Sequence, residues 1–186
     1  MTVTAPPMSA APPRPFIGSD LDEIEDGGYR YEVIEGRLIV NPTPISRHQN
    51  AVVKLTYLFE SRCPPGFKVM VAPLDWRPPT GDSLQPDLMV IRKEDYNPEG
   101  FQLATPQLVV EVLSPSSMTY DRHDKRARYE MLGVPSYWIV DASIPSLTAL
   151  QLTDGCYVEV AQVSGSDAYK AALPYHVAIA PGDLVL

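Results

Sequence analysis

Cysteine is nearly absent from this chain: among its 186 residues only Cys63 and Cys156 occur, far apart and without a CxxC spacing. That argues against a disulfide framework or a structural zinc site, and it fits a reducing cytoplasm. Long apolar runs are missing as well. No stretch approaches the roughly 18 consecutive apolar residues of a membrane span. The opening residues lack the basic start and apolar core of a secretory signal, so neither anchoring nor secretion is expected. No internal repeat is visible, which argues against a solenoid or a propeller. Positive charge is in deficit, 15 Lys and Arg against 23 Asp and Glu, for a formal net charge of -8. Such a surface offers no broad, nonspecific grip on nucleic acid. It still leaves room for a local basic site, and carboxylates that bind a divalent metal add to the same balance.

Proline, by contrast, is plentiful at 20 residues and unevenly spread. Pro6, Pro7, Pro12, Pro13 and Pro15 crowd the N-terminus, where neither a helix nor a strand ladder tolerates them. Residues 1–20 are therefore expected to form a disordered arm, and residues 21–186 one domain with a substantial core. Leu21 to Asp26 reads as a short acidic turn closed by Gly27-Gly28. Tyr31 to Ile34 and Arg37 to Val40 read as strands around a tight Glu35-Gly36 turn. Ser46 is placed to cap a helix that runs to about Arg62 and stops at Pro64-Pro65-Gly66. Lys68 to Trp76 reads as a strand, followed by a loop to Gln85. Asp87 to Ile91 and Leu108 to Leu113 have the apolar, branched character of buried strands. The polar linker between them is too irregular for a crossover helix, which makes an antiparallel pair the simplest arrangement. Asp121 is placed to cap a second helix ending at Gly133. Tyr137 to Val140 follows as a strand, then a hairpin of Leu147 to Leu152 and Tyr157 to Ala161 around Asp154-Gly155, and a short strand Val177 to Ile179. The sum is a mixed sheet flanked by two helices, an α/β or α+β core with added β-hairpins.

Two acids stand out by position. Asp87 opens one apolar strand, directly after Pro86, and Glu111 lies inside another. A carboxylate in such surroundings must be hydrogen-bonded, ion-paired or bound to metal. If the strands are neighbours, the two acids converge on one cation, and Mg²⁺ favours such a pair completed by water and phosphate oxygens. The plainer alternative is Glu111 ion-paired with an arginine and Asp87 merely starting its strand. A basic stretch, Arg122 to Arg128, follows on the second helix. Lys125 can point from its first turn towards the strand ends, with Tyr129 four residues on along the same face. The plainer reading of that stretch is a solvated helix face.

The blocks Tyr31-Glu32-x-Ile34-x-Gly36, Pro44-x-Ser46-x-His48-Gln49, Gln85-Pro86-Asp87-Leu88, Glu111-Val112-Leu113-Ser114-Pro115-Ser116, Asp121-x-x-x-Lys125-x-x-x-Tyr129 and Gly133-Val134-Pro135-x-Tyr137-Trp138-Ile139-Val140-Asp141 occur in this order. Together, over roughly residues 29 to 160, they resemble the Uma-two family of restriction-endonuclease-like proteins. The resemblance implies a PD-(D/E)XK nuclease fold with one acidic metal site, cutting phosphodiester bonds of nucleic acid, DNA above all. Asp87, Glu111 and Lys125 would be its catalytic residues. Leu113 stands where the superfamily pattern has lysine, and Lys125 looks like the migrated replacement. Asp87, Glu111 and the backbone carbonyl of Val112 would hold Mg²⁺ or Mn²⁺. Glu32 would join as a ligand or through a bound water. His48 would contact phosphate or hold a carboxylate, or else bond to backbone at its helix end. Glu35 belongs to the turn. A homodimer suits cutting of both strands, though no residue marks an interface. A non-catalytic nucleic-acid-binding or regulatory module that kept the fold is the alternative from another class.

Overall fold

The computed structural model describes residues 14–24, 28–114 and 125–185. A hairpin comes first, β1 (Arg30–Ile34) paired antiparallel with β2 (Arg37–Asn41). Its turn places Glu35 at φ 52° and Gly36 at φ 75°, the left-handed pair that matches strand twist in a two-residue loop. Helix α1 (Ser46–Glu60) follows, then β3 (Phe67–Val71), β4 (Leu88–Arg92) and β5 (Leu108–Val112). Helix α2 (Arg126–Met131) precedes β6 (Ser136–Asp141), β7 (Ser146–Thr153) and β8 (Cys156–Ser164). A short pair closes the chain, β9 (Tyr169–Ala171) against β10 (Val177–Ile179). The fold is mixed α+β.

Strands β3 to β8 form one six-stranded sheet in sequence order. All neighbours are antiparallel except β5 and β6, which run parallel. A parallel pair needs a crossover, and α2 lies in it. The expected antiparallel pairing of β4 with β5 is present. Strand β5 sits inside the sheet and is buried on both faces, which is why its sequence shows no polar alternation. Leu108, Val110 and Val112 join one core with Leu55 and Phe59 of α1 and with Trp138. Val109 turns to a second core with Trp76, Tyr129 and Tyr137. With a side-chain period of two, Glu111 faces the Val109 side.

Several local readings shift. Ile45, not Ser46, caps α1, and no side chain bonds the first turn; Ser46 is already helical. The strand expected from Lys68 to Trp76 stops at Val71, two residues before Pro73, which has no N–H to give a ladder. Trp76 instead bridges Leu84 and Gln102. Residues 14–20, placed by the sequence in the arm, lie against the domain: the Phe16 N–H donates to Gly36 O and the Gly18 N–H to Gly81 O. The start of α2 expected at Asp121, the Gly27 turn and the prolines before Arg14 lie outside the described residues.

Arg128 shows what an ion pair contributes away from the strand ends. Its Nε donates to Asp82 Oδ2 at 3.0 Å, and both residues are buried. Asp82 Oδ1 in turn accepts the Glu35 N–H at 2.9 Å, so the pair ties α2 to the loop and the first hairpin. Arg128→Met should destabilise the fold by about 3–5 kcal/mol, because it strands a buried carboxylate. Urea unfolding measures this, and adding Asp82→Asn should recover much of the loss. A double variant no better than the single would show that the pair is not the cause.

Candidate active site

Strand register brings the two acids together. Leu88 of β4 lies opposite Val110 of β5, so Asp87, one residue earlier, comes opposite Glu111. Opposed residues of antiparallel strands have Cα atoms roughly 4.5–5.5 Å apart. Pro86 brings no N–H to this strand end. The Val112 N–H donates instead to Asp87 Oδ2 at 2.9 Å. In a strand the N–H and C=O of one residue face the same neighbour, so the Val112 carbonyl points to that same edge.

Asp87 is bonded on both oxygens. Oδ2 also accepts from His48 Nε2 at 3.0 Å, and Oδ1 accepts from Arg30 Nη1 at 3.0 Å. Burial alone would raise its pKa. The bond and charge of His48, the charge of Arg30 and the Val112 N–H overcome this and hold it at about 2. For His48, burial disfavours the imidazolium, but the bond to Asp87, that acid's charge and Gln49 Oε1 at 3.3 Å from Nδ1 raise its pKa. The first turn of α1 thus delivers its histidine to a carboxylate, one of the roles open to it from sequence, and not to helix backbone.

Glu111 meets a second set of donors. Its Oε1 accepts from Lys125 Nζ at 2.9 Å and from the Tyr129 hydroxyl at 2.6 Å. The two donors stand four residues apart, hence one above the other on the α2 side. Burial, and then the charges of Glu111 and Glu32, push the Tyr129 hydroxyl well above its ordinary pKa, so it stays a donor. Lys125 Nζ also lies 3.1 Å from Glu32 Oε1. Glu32 is fixed by the Gln85 N–H at 2.8 Å and by Asn41 Nδ2 at 2.7 Å. The basic stretch is therefore not a solvated face at Lys125 and Arg128, which are buried, whereas Arg126 and Ala127 are exposed.

Among the described residues no group of three or more His, Cys, Asp and Glu side chains forms a ready metal cage. Mg²⁺ does not require one, since one or two carboxylates, water and phosphate oxygens complete its octahedron. Asp87 and Glu111 supply hard oxygen donors from opposed positions, and that chemistry fits the ion.

The fold and this constellation can be set beside known proteins. A family model described as "Putative restriction endonuclease", Uma2, matches residues 19–180. The chain belongs to the Uma2 family. The fold is also similar to the crystal structure of a "putative nuclease belonging to DUF820" from Anabaena variabilis. The TM-score is 0.75 at 17% sequence identity, covering 92% of this chain and 100% of that one. At that identity the likeness speaks for the fold alone. A search of curated proteins finds no match.

In this Uma2 protein, Glu32, His48, Asp87, Glu111, Lys125 and Tyr129 all reach one strand end, in two bonded sets: His48 with Asp87, and Glu32, Lys125 and Tyr129 around Glu111. Glu35 stays in its turn, where Arg128 approaches it at 3.5 Å. Sequence reasoning missed Arg30 and Asn41. Arg30 Nη2 donates to Gln85 O at 2.6 Å, beside its bond to Asp87. The signal was available: in a strand, residues two apart share a face, so placing Glu32 at the site places Arg30 beside it.

Proposed function

We propose that this Uma2 protein is a metal-dependent endonuclease that hydrolyses phosphodiester bonds, with DNA as its substrate. The observation that carries the reading is the opposed pair Asp87 and Glu111 at one strand end, with Lys125 Nζ bonded to Glu111. Asp87, Glu111 and the Val112 carbonyl would hold Mg²⁺ or Mn²⁺. Either ion supplies, when bound, Lewis-acid activation of water and neutralisation of phosphate charge. Lys125 would orient the attacking water or stabilise charge growing on the phosphate. The buried Tyr129 hydroxyl keeps Glu111 in place, and His48 does the same for Asp87. Glu32 holds the Lys125 ammonium and can reach a bound water.

A second reading has one observation in its favour. Arg30, Lys125 and His48 already neutralise the three acids, as suits a nucleic-acid-binding module that no longer cuts. Nicking of supercoiled plasmid separates the two. With Mg²⁺ or Mn²⁺ the wild type should convert plasmid to open circles, EDTA should stop it, and Glu111→Gln prepared identically should be inert. Plasmid, single-stranded DNA and RNA all left intact, but retarded in a gel, would replace the enzyme by the module. Equal cutting by Glu111→Gln would point to a contaminant.

A further inference from the structure

One cation of the site is less deeply set than the others. Arg30 retains 21% side-chain exposure, against 3% for Lys125 and 5% for His48. Lys125 is fixed between two carboxylates. His48 shares Asp87 Oδ2 with the Val112 N–H, deep in the protein. Arg30 bonds the other oxygen, Asp87 Oδ1, for which it has no rival among the described residues. Its charge is felt by Asp87, Glu32 and Glu111 alike, so it sits within the field that would attract a divalent ion. Its Nε is buried and has no hydrogen-bond partner among the described residues. A buried donor without a partner is a costly arrangement, and an acceptor atom of a ligand or a water would relieve it.

We propose that Arg30 is the exchangeable cation of this site: it neutralises Asp87 until a divalent ion takes that oxygen, and then binds the substrate's phosphodiester. The inference rests on the nuclease reading for the identity of the phosphate and deepens it. Arginine suits both roles. Its planar fork bonds a carboxylate or a phosphate through paired N–H groups, and the partnerless Nε completes one edge of that fork. The bond of Nη2 to Gln85 O, in the segment that leads into Asp87, tethers the guanidinium beside the site during the exchange.

Two binding measurements on the full chain test this without relying on cleavage. The first is calorimetric titration with Mn²⁺ alone, on wild type, Arg30→Gln and Arg30→Lys. Removing the competing charge should tighten Mn²⁺ binding by on the order of tenfold in Arg30→Gln, whereas Arg30→Lys should stay near wild type. The second is fluorescence anisotropy with a cleavage-resistant phosphorothioate oligonucleotide at saturating Mn²⁺. There Arg30→Gln should bind about tenfold more weakly, and Arg30→Lys, which lacks the fork, should recover only part of the loss. Mn²⁺ affinity that is unchanged or weaker in Arg30→Gln overturns the exchange, as does wild type that binds no Mn²⁺. Equal oligonucleotide affinity overturns the phosphate role. If both binding shifts appear while wild type cuts nothing, the nuclease reading fails and the exchange stands. Melting temperatures in EDTA confirm that each variant is folded, and Arg30→Ala, with the same two shifts expected, takes the place of Arg30→Gln if that variant is not.

Discussion

Lys125→Met should lower the unfolding free energy by about 3–5 kcal/mol, because it leaves two buried carboxylates without their shared ammonium. Glu32 and Glu111 both lie within 3.1 Å of Nζ, so its removal converts an attraction into a repulsion. For a chain of 186 residues each kcal/mol shifts the melting temperature by roughly 2–4 °C. The expected fall is thus about 6–20 °C. A melting temperature unchanged from wild type would mean that the ammonium adds little beside the packing of its alkyl stem. Adding Glu32→Gln should restore much of the loss, and the double variant is then the proper control for catalysis. Loss of cutting in Lys125→Met alone would mix charge imbalance with a missing catalytic group.

Asp87→Asn carries the largest effect on activity. The change keeps shape and one oxygen, so the Val112 N–H retains an acceptor, but it removes the charge. Cleavage should fall at least about 10²–10³-fold, the scale seen when one charge-stabilising group is deleted from an active site. Stability should suffer less than in Lys125→Met, since Arg30 is partly exposed and can turn to water, and His48 can shed its proton. The measurement is a plasmid time course with a melting curve on the same preparation. Residual cutting within tenfold of wild type would remove Asp87 from the centre of the reaction. Acid titration offers an independent check. With its pKa held at about 2 in the fold, against roughly 3.9 when unfolded, Asp87 favours the folded state above pH 4. That contribution disappears as pH falls towards 2.

What the sequence reveals here divides by the range of the interactions involved. Glu111 in an apolar run, and Lys125 and Tyr129 one turn apart, are local patterns, and physics at that range is explicit in the order of residues. Asp87 against Glu111 needed only the guess of an antiparallel pair. Arg30 was hidden for the opposite reason. A charged residue at the start of a strand looks solvated, and its partner is 57 positions away. Arg128 received no role from sequence for the same reason, since its partner Asp82 lies 46 positions away in a loop with no regular pattern. The false cap at Ser46 is a smaller case of the same kind. Side-chain type allowed a cap there, but the chain's approach through Ile45 in extended conformation started the helix one residue earlier.

The site is assembled from parts of unequal mechanical standing. Asp87 and Glu111 adjoin the middle of a six-stranded sheet, while Arg30 and Glu32 ride on a hairpin that forms a separate two-stranded sheet. Units outside the main sheet can open on their own, at free energies below that of global unfolding. Each excursion of the β1–β2 hairpin would carry off the guanidinium and one carboxylate, yet leave the six-stranded sheet closed. Amide protons of the hairpin would then trade with deuterium long before those of β5, and the fraction of time the hairpin is seated would set an upper limit on the fraction of molecules able to act.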